Sequence, residues 1–246
     1  MAAFEKLFRA PYGVPNALER VDDGLWISDQ ISDRLALVDI AEPENNATGP
    51  GHGDYGVTFR RQEIPTDGSN TSGLARGEDA LWVASNGPST LWRPSRPADA
   101  EAGAGVVLKV DPDNGQTLMR RPVPGGGGVH GIGYDHIEPG HLWITTLKQK
   151  TLTKVRTADW EVIHSIPVPY GRAHGVVRTE RGVWVVHTAD RVVVHLDVAD
   201  GHELERIEVP DSEPQPHGLC DWGNGELAYC DATSGWVVRI YGIGIC

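Results

Sequence analysis

The strongest constraint on this chain is that it repeats. Five segments carry one pattern: a turn, an apolar strand, a second strand with a Trp-like centre, a third strand, then a fourth ending in Val-Pro or Ile-Pro. The second strands, 24–29, 80–85, 141–146, 182–187 and 225–230, align without gaps. Four of them place Trp26, Trp82, Trp143 and Trp184 at one position, and the fifth has Leu227 there. Third strands follow at 34–39, 105–111, 152–155, 191–197 and 236–240. Fourth strands finish at Ile64-Pro65, Val123-Pro124, Ile166-Pro167 and Val209-Pro210. First strands begin near Asn16, Ser72, His130, His174 and His217, at successive spacings of 56, 58, 44 and 43 residues. Four strands per roughly 45 residues is the period of a β-propeller blade.

The last repeat holds three strands, whereas residues 4–10 read as a fourth strand with no blade before it. Pairing that piece with 236–241 leaves no open sheet edge. The pattern therefore predicts an all-β chain forming a single domain, 1–246. It would be a five-bladed β-propeller with four antiparallel strands per blade, closed by the N-terminal strand at about 4–10. The repeated Trp residues are expected to pack between blades. Insertions fall at 42–55, between the third and fourth strands of the first blade, and at 87–103, between the second and third strands of the second.

Composition narrows the function. The 246 residues are 39% hydrophobic, enough for one sizeable core, and 30 Gly with 17 Pro suit many short strands joined by turns. The net charge is −12 and basic residues cluster no further than the pairs Arg60-Arg61 and Arg120-Arg121, so neither nucleic acid nor an anionic membrane is expected as a partner. No apolar run approaches the roughly 20 residues of a membrane span, and residues 1–13 lack a secretory-type run. Cys220, Cys230 and Cys246 form no CxxC pair, which argues against a disulfide framework or a Cys-based zinc site. A cytoplasmic protein with a small-molecule substrate is the expectation, its oligomeric state open. Residues 125–128 are four glycines without the Lys-Ser/Thr of a phosphate-binding loop.

In a propeller the first strand of each blade lines the axis and the chain zigzags outward. Loops entering first strands then share a face with loops joining second to third strands. That face collects an inner ring of Asn16, Ser72, His130, His174 and His217. Around it lies a second ring: Asp29 with Gln30, Ser85 with Asn86, Thr146 with Lys148, His187 with Thr188, and Cys230 with Asp231. The 87–103 insertion belongs to this face. The 42–55 insertion, with His52 and Asp54, belongs to the other.

Three imidazoles at one level suit a divalent metal held by His130, His174 and His217, with Zn, Fe, Ni, Cu, Mn and Mg all open. Without a metal, an imidazole poised near neutrality can remove a proton α to a carbonyl, and nearby polar groups can stabilise the oxyanion. His187, His217, His174 and Lys148 are the candidate catalytic residues. Asn16, Asp29, Ser72, Asn86, Thr146, Arg172 and Asp231 are candidates for binding substrate. The plainer alternative is that His-Gly is a turn motif whose ring bonds a neighbouring carbonyl. Cys230 as a nucleophile would need a nearby base at a buried strand end. Tyr12 and Tyr170 follow Pro in matching turns and read as packing groups. Trp92, Arg93 and Arg96 form either a lid or an inert loop.

The segments Val129-His130-Gly131-Ile132, Ala173-His174-Gly175-Val176 and Pro216-His217-Gly218-Leu219 each precede a Leu-Trp, Val-Trp or equivalent strand. This arrangement resembles the virginiamycin B lyase (streptogramin lyase) propellers and, more loosely, the gluconolactonase-like propellers. The resemblance implies a His of such a motif acting as base near a metal held by acidic residues, in an elimination that opens a cyclic depsipeptide. By motif it points to His217 and His174. The chain departs from that family in supporting five blades rather than seven, and in having Ser85, Thr146, His187 and Cys230 where its second strands end in an acidic residue. Together these readings predict a metal-assisted lyase or isomerase acting on a small carbonyl-containing molecule. The alternatives are a metal-dependent hydrolase or lactonase, and a non-catalytic ligand-binding propeller.

Overall fold

The computed structural model describes residues 2–40, 60–91 and 93–243. Among the described residues, twenty strands form five four-stranded antiparallel sheets. The first complete blade is β2 (Pro15–Val21), β3 (Gly24–Asp29), β4 (Leu35–Val38) and β5 (Arg60–Ile64). The second is β6 (Thr71–Gly77), β7 (Ala80–Ser85), β8 (Val106–Val110) and β9 (Thr117–Pro122). The third is β10 (Ile132–Tyr134), β11 (His141–Thr146), β12 (Thr151–Arg156) and β13 (Val162–Pro167). The fourth is β14 (Ala173–Thr179), β15 (Gly182–His187), β16 (Val192–Leu196) and β17 (Glu203–Glu208). The fifth is β18 (Leu219–Gly223), β19 (Glu226–Cys230) and β20 (Trp236–Tyr241), completed by β1 (Ala3–Arg9). The five-bladed reading of the repeat thus holds, including its closure. The expectation for residues 42–55, with His52 and Asp54, lies outside the described residues.

β1 pairs with β20 from Ala3 opposite Tyr241 to Arg9 opposite Trp236, with a shift between Lys6 and Phe8. The bulge turns Phe8 inward, where it is 1% exposed among Leu18, Ile27, Ala228 and Val237. Ring closure therefore couples a backbone ladder to an apolar anchor that spans the first and fifth blades.

Sequence position decides burial along each blade. The second strands β3, β7 and β15 are buried at every residue, because both of their faces meet other sheets. The outermost β17 is mostly exposed, with Ile207 turned in. The Trp residues are inter-blade core as expected: Trp82, Trp143 and Trp184 are at most 1% exposed. Each has a polar cross-strand partner on the third strand lying over its ring, namely Lys109, Lys154 and His195. Two of the indole N–H groups are satisfied inside, Trp82 Nε1 donating to the Gly77 carbonyl at 3.2 Å and Trp143 Nε1 to Asp135 Oδ2 at 3.0 Å, whereas Trp184 Nε1 is buried without a partner. Among the described residues no helix is long and apolar enough to cross a membrane.

Two outcomes follow for stability. Phe8→Ala empties the closure anchor and should cost about 3–5 kcal/mol in urea unfolding, without altering the fifth blade's own strand pairing. The His195 ring stacks on Trp184 at 4.5 Å, and burial lowers its pKa from 6.5 to about 4. The folded state then binds that proton less readily than the unfolded chain. Its stabilising contribution is complete above about pH 6.5 and is lost as the pH falls towards 4. His195→Phe should flatten this part of the stability–pH curve relative to the unsubstituted protein.

Candidate functional site

One end of the axis gathers the inner-ring residues, and the backbone itself aims them there. The pairing of first and second strands slips between Pro15 and Ala17, between Thr71 and Gly73, and between Ala173 and Val176. Asn16, Ser72 and His174 sit in these slips, so a β-bulge takes each out of the alternation that would pack it between sheets. His130 and His217 lie two residues ahead of β10 and β18 and are held by backbone bonds instead. The His217 N–H donates to the Cys230 carbonyl at 2.9 Å, and the His130 N–H donates to Thr145 Oγ1 at 3.1 Å.

The ring is linked blade to blade. Asn16 Nδ2 donates to the Thr71 carbonyl at 3.4 Å, and Ser72 Oγ donates to the Val129 carbonyl at 2.9 Å. His130 Nδ1 lies 2.8 Å from His174 Nε2, and the His174 and His217 rings meet edge-on with centroids 5.3 Å apart. The three imidazoles therefore do converge. The glycine after each has a separate cause: a Cβ at Gly131 would stand 1.8 Å from the His174 carbonyl oxygen, and one at Gly175 2.1 Å from the Leu219 nitrogen. Half of the His-Gly motif records how closely neighbouring inner strands approach.

Electrostatics make the three rings neutral near pH 7. Burial lowers His130 from 6.5 to about 4, helped by the Arg172 and His217 charges. His174 is held well below 6.5, by burial first and then by its two imidazole neighbours. His217 is also lowered by burial, against the opposing pull of the Gln215 carbonyl and Asp231. His174 is the deepest of the three, 5% exposed, and its Nδ1 is buried without a partner. His217 Nδ1 is 3.3 Å from the Gln215 carbonyl and 4.0 Å from Asp231 Oδ1.

The second ring divides. His187 ends β15 with Nδ1 3.2 Å from the Gly171 carbonyl and Nε2 buried and unpartnered. Arg172 is exposed at φ +48°, in the turn leading to His174, and its charge is felt at all three ring imidazoles. Lys148 is exposed at the rim, its Cβ beside Gly127. Asn86 Oδ1 accepts the Val129 N–H at 3.0 Å, tying the second blade to the strand entry of the third. Asp29 and Asp231 each close a turn: Asp29 Oδ2 accepts from Ser32 Oγ at 2.7 Å, and Asp231 Oδ2 from the Ser234 N–H at 3.2 Å. Thr146 Oγ1 is engaged with Thr151 and Thr153 inside its own blade. Cys230 is buried, and burial pushes its thiol up to about 12, far from thiolate reactivity.

The residue that motif reading passed over is Asp33. It is fully buried and accepts from the Thr71 N–H at 3.1 Å, Thr71 Oγ1 at 3.0 Å and Ser89 Oγ at 3.1 Å. Arg93 Nη2 reaches it at 2.8 Å and holds Asp99 Oδ1 at 2.7 Å; Arg96 adds a longer contact to Asp33 at 3.4 Å. The 87–103 insertion is thereby clamped to the junction of the first two blades by Arg93 and Arg96. A lone Asp in a turn carries no sequence signal for this, since its partners lie 38 to 63 residues away.

Fold and site together define the class: a five-bladed β-propeller with a ring of polar inner-strand residues at one end of its axis. No protein-family model matches the chain, and no curated protein sequence matches it. Solved structures share the fold. Myxococcus xanthus glutaminyl cyclase superposes with a TM-score of 0.60 at 12% identity, over 98% of this chain and 94% of that one. A catalytically inactive virginiamycin B lyase from Staphylococcus aureus, with quinupristin, gives 0.54 at 10% identity, over 99% of this chain and 100% of that one. A protein of unknown function from Bacteroides caccae gives 0.54 at 12% identity, over 92% and 81%.

Removing the clamp tests its role. Asp33→Asn leaves two arginines facing an uncharged side chain and should destabilise the protein by about 3–5 kcal/mol. Limited proteolysis should then cut within 87–103, which resists cleavage while Asp33 is ionised.

Proposed function

We propose that this mouth is an acid–base centre of lyase or isomerase type acting on a small carbonyl-containing molecule. The observation that carries the reading is the contact of three neutral imidazoles from three successive blades, with a hydrogen-bonding nitrogen of His174 left unused. His217 is the base in this reading: it is deprotonated near neutrality, keeps some exposure, and is oriented through Nδ1 by Gln215 and Asp231. His130 and His174 share one N–H and fix one another's ring orientation. Arg172 and Lys148 at the rim would stabilise the developing oxyanion. Asn16, Ser72 and Asn86 shape the wall. His187, one strand outward with Nε2 free, would return the proton.

A metal-assisted form of the reading, lyase or hydrolase and lactonase alike, rests on the same histidines. His130 Nδ1 and His174 Nε2 are close enough to share an ion. His217 does not complete the set as placed. Among the described residues, the one group of three metal-capable side chains with donor atoms within 4.8 Å of one another is Asp197, Asp200 and His202, on the outer turn before β17. The mouth therefore fits an imidazole pair with a third ring beside it better than a three-ligand centre. The chemistry assigned to it runs through its own side chains. A cytoplasmic setting suits the free, buried Cys220 and Cys230.

The test is deuterium incorporation α to the carbonyl, followed by NMR in D2O over a panel of lactones, esters and 2-oxo acids. His217→Ala should lower exchange by about 10²–10⁴-fold. The acid limb should fall only below pH 6.5, because the folded-state pKa of the base is depressed and the base stays unprotonated above that value. Stoichiometric metal in the purified protein, lost in His174→Ala, would replace this reading with the metal centre. Unaltered ligand binding without exchange would make the chain a binding propeller.

A further inference from the structure

The opposite end of the axis opens into a depression of about 650 Å³. It is lined where the inner strands end, by Glu19, Tyr134, His136, Arg178 and Asp221 among others. Two of these carry charges that the protein leaves incompletely matched.

Arg178 is the first. Its side chain is 6% exposed, and its Nε is buried without a hydrogen-bond partner. One Nη donates to the Gly182 carbonyl at 3.0 Å. Among the described residues its one carboxylate within ion-pair distance is Asp135, 3.7 Å away, and that carboxylate is already taken by Lys154 at 3.0 Å and the Trp143 indole at 3.0 Å. A buried guanidinium with spare donors costs free energy unless an acceptor fills them.

Glu19 is the second. It stands on β2, two blades from Arg178 around the axis. Its carboxylate accepts the Arg76 N–H at 3.2 Å, and among the described residues no cationic side chain pairs with it. Burial, with the Asp221 charge added, lifts its pKa from 4.5 to about 8 against the opposing pull of the Arg76 N–H and charge, so that a docked cation is what would ionise it. A spare cation and a carboxyl that a docked cation would ionise therefore face one cavity from non-adjacent blades. Because their strands are not neighbours, they do not satisfy each other.

We propose that this far mouth is a second small-molecule site, taking a zwitterion of amino-acid size whose carboxylate docks on Arg178 and whose ammonium docks on Glu19. Planar two-point recognition of a carboxylate is what a guanidinium does best. The volume lies within the range of small-ligand pockets. Tyr134 and His136, edge-on at 5.0 Å, supply an aromatic wall for the ligand's side chain.

Calorimetric titration of the unsubstituted protein with each of the twenty protein amino acids tests this, with propionate and ethylammonium as single-charge probes. At least one amino acid should bind one-to-one, and both half-probes should bind about tenfold or more weakly. Glu19→Gln and Arg178→Gln should each weaken binding by a similar factor, while His174→Ala should leave it unchanged. In NMR spectra of the unsubstituted protein, the bound amino acid should move the His136 ring signals and not those of His130 or His174. That measurement stands even if a substitution prevents folding. Failure of every amino acid to bind overturns the proposal. So does binding that survives both charge substitutions, binding abolished by His174→Ala, or shifts confined to the histidine mouth.

Discussion

Neighbouring inner strands touch around the axis, and much of the molecule's architecture follows from that contact. Gly131 and Gly175 exist because a methyl group there would collide with the next blade's backbone. The same closeness lets a side chain of one blade bond the inner strand of the next, from Asn16 to Thr71 and from Ser72 to Val129. Where the ring residue is His, the bond becomes a contact between imidazoles. A wider ring would separate these residues and leave each to solvent. Five blades, tight closure and a convergent polar mouth are one geometric fact.

The two ends of the axis use that geometry differently. At the histidine end, desolvation acts on groups that can lose their charge, and three rings become neutral, two of them sharing a hydrogen bond and the third packed edge-on. At the far end, Arg178 cannot lose its charge, and Glu19 instead tends to keep its proton. Burial thus yields a cluster of neutral imidazoles at one mouth and, at the other, an incompletely matched guanidinium across from a carboxyl that keeps its proton. The clamp built on Asp33 is a third solution: a buried carboxylate matched by six donors, which fixes the 87–103 insertion beside the first mouth.

Blade count, strand order and the inter-blade Trp residues were legible because strand periodicity and turn spacing are local and recur. The inner-ring positions were legible for the same reason, since each opens a repeat. What was not legible came from contacts between repeats. Nothing in the Ser32-Asp33-Arg34 turn announces that Asp33 will meet Arg93, and nothing in Arg178 or Glu19 marks them as facing one cavity. Asp29 and Asp231 read as free carboxylates in sequence, yet both are spent on their own turns.

The sequence alone determined the number of blades, the closing strand and the level at which three histidines stand, because these depend on period and alternation. Tertiary structure decided which nitrogen faces which, which charges are matched and which residues line the cavity at the far mouth. Those outcomes depend on bulges and desolvation, and both arise only when distant strands are brought within a few ångströms of one another.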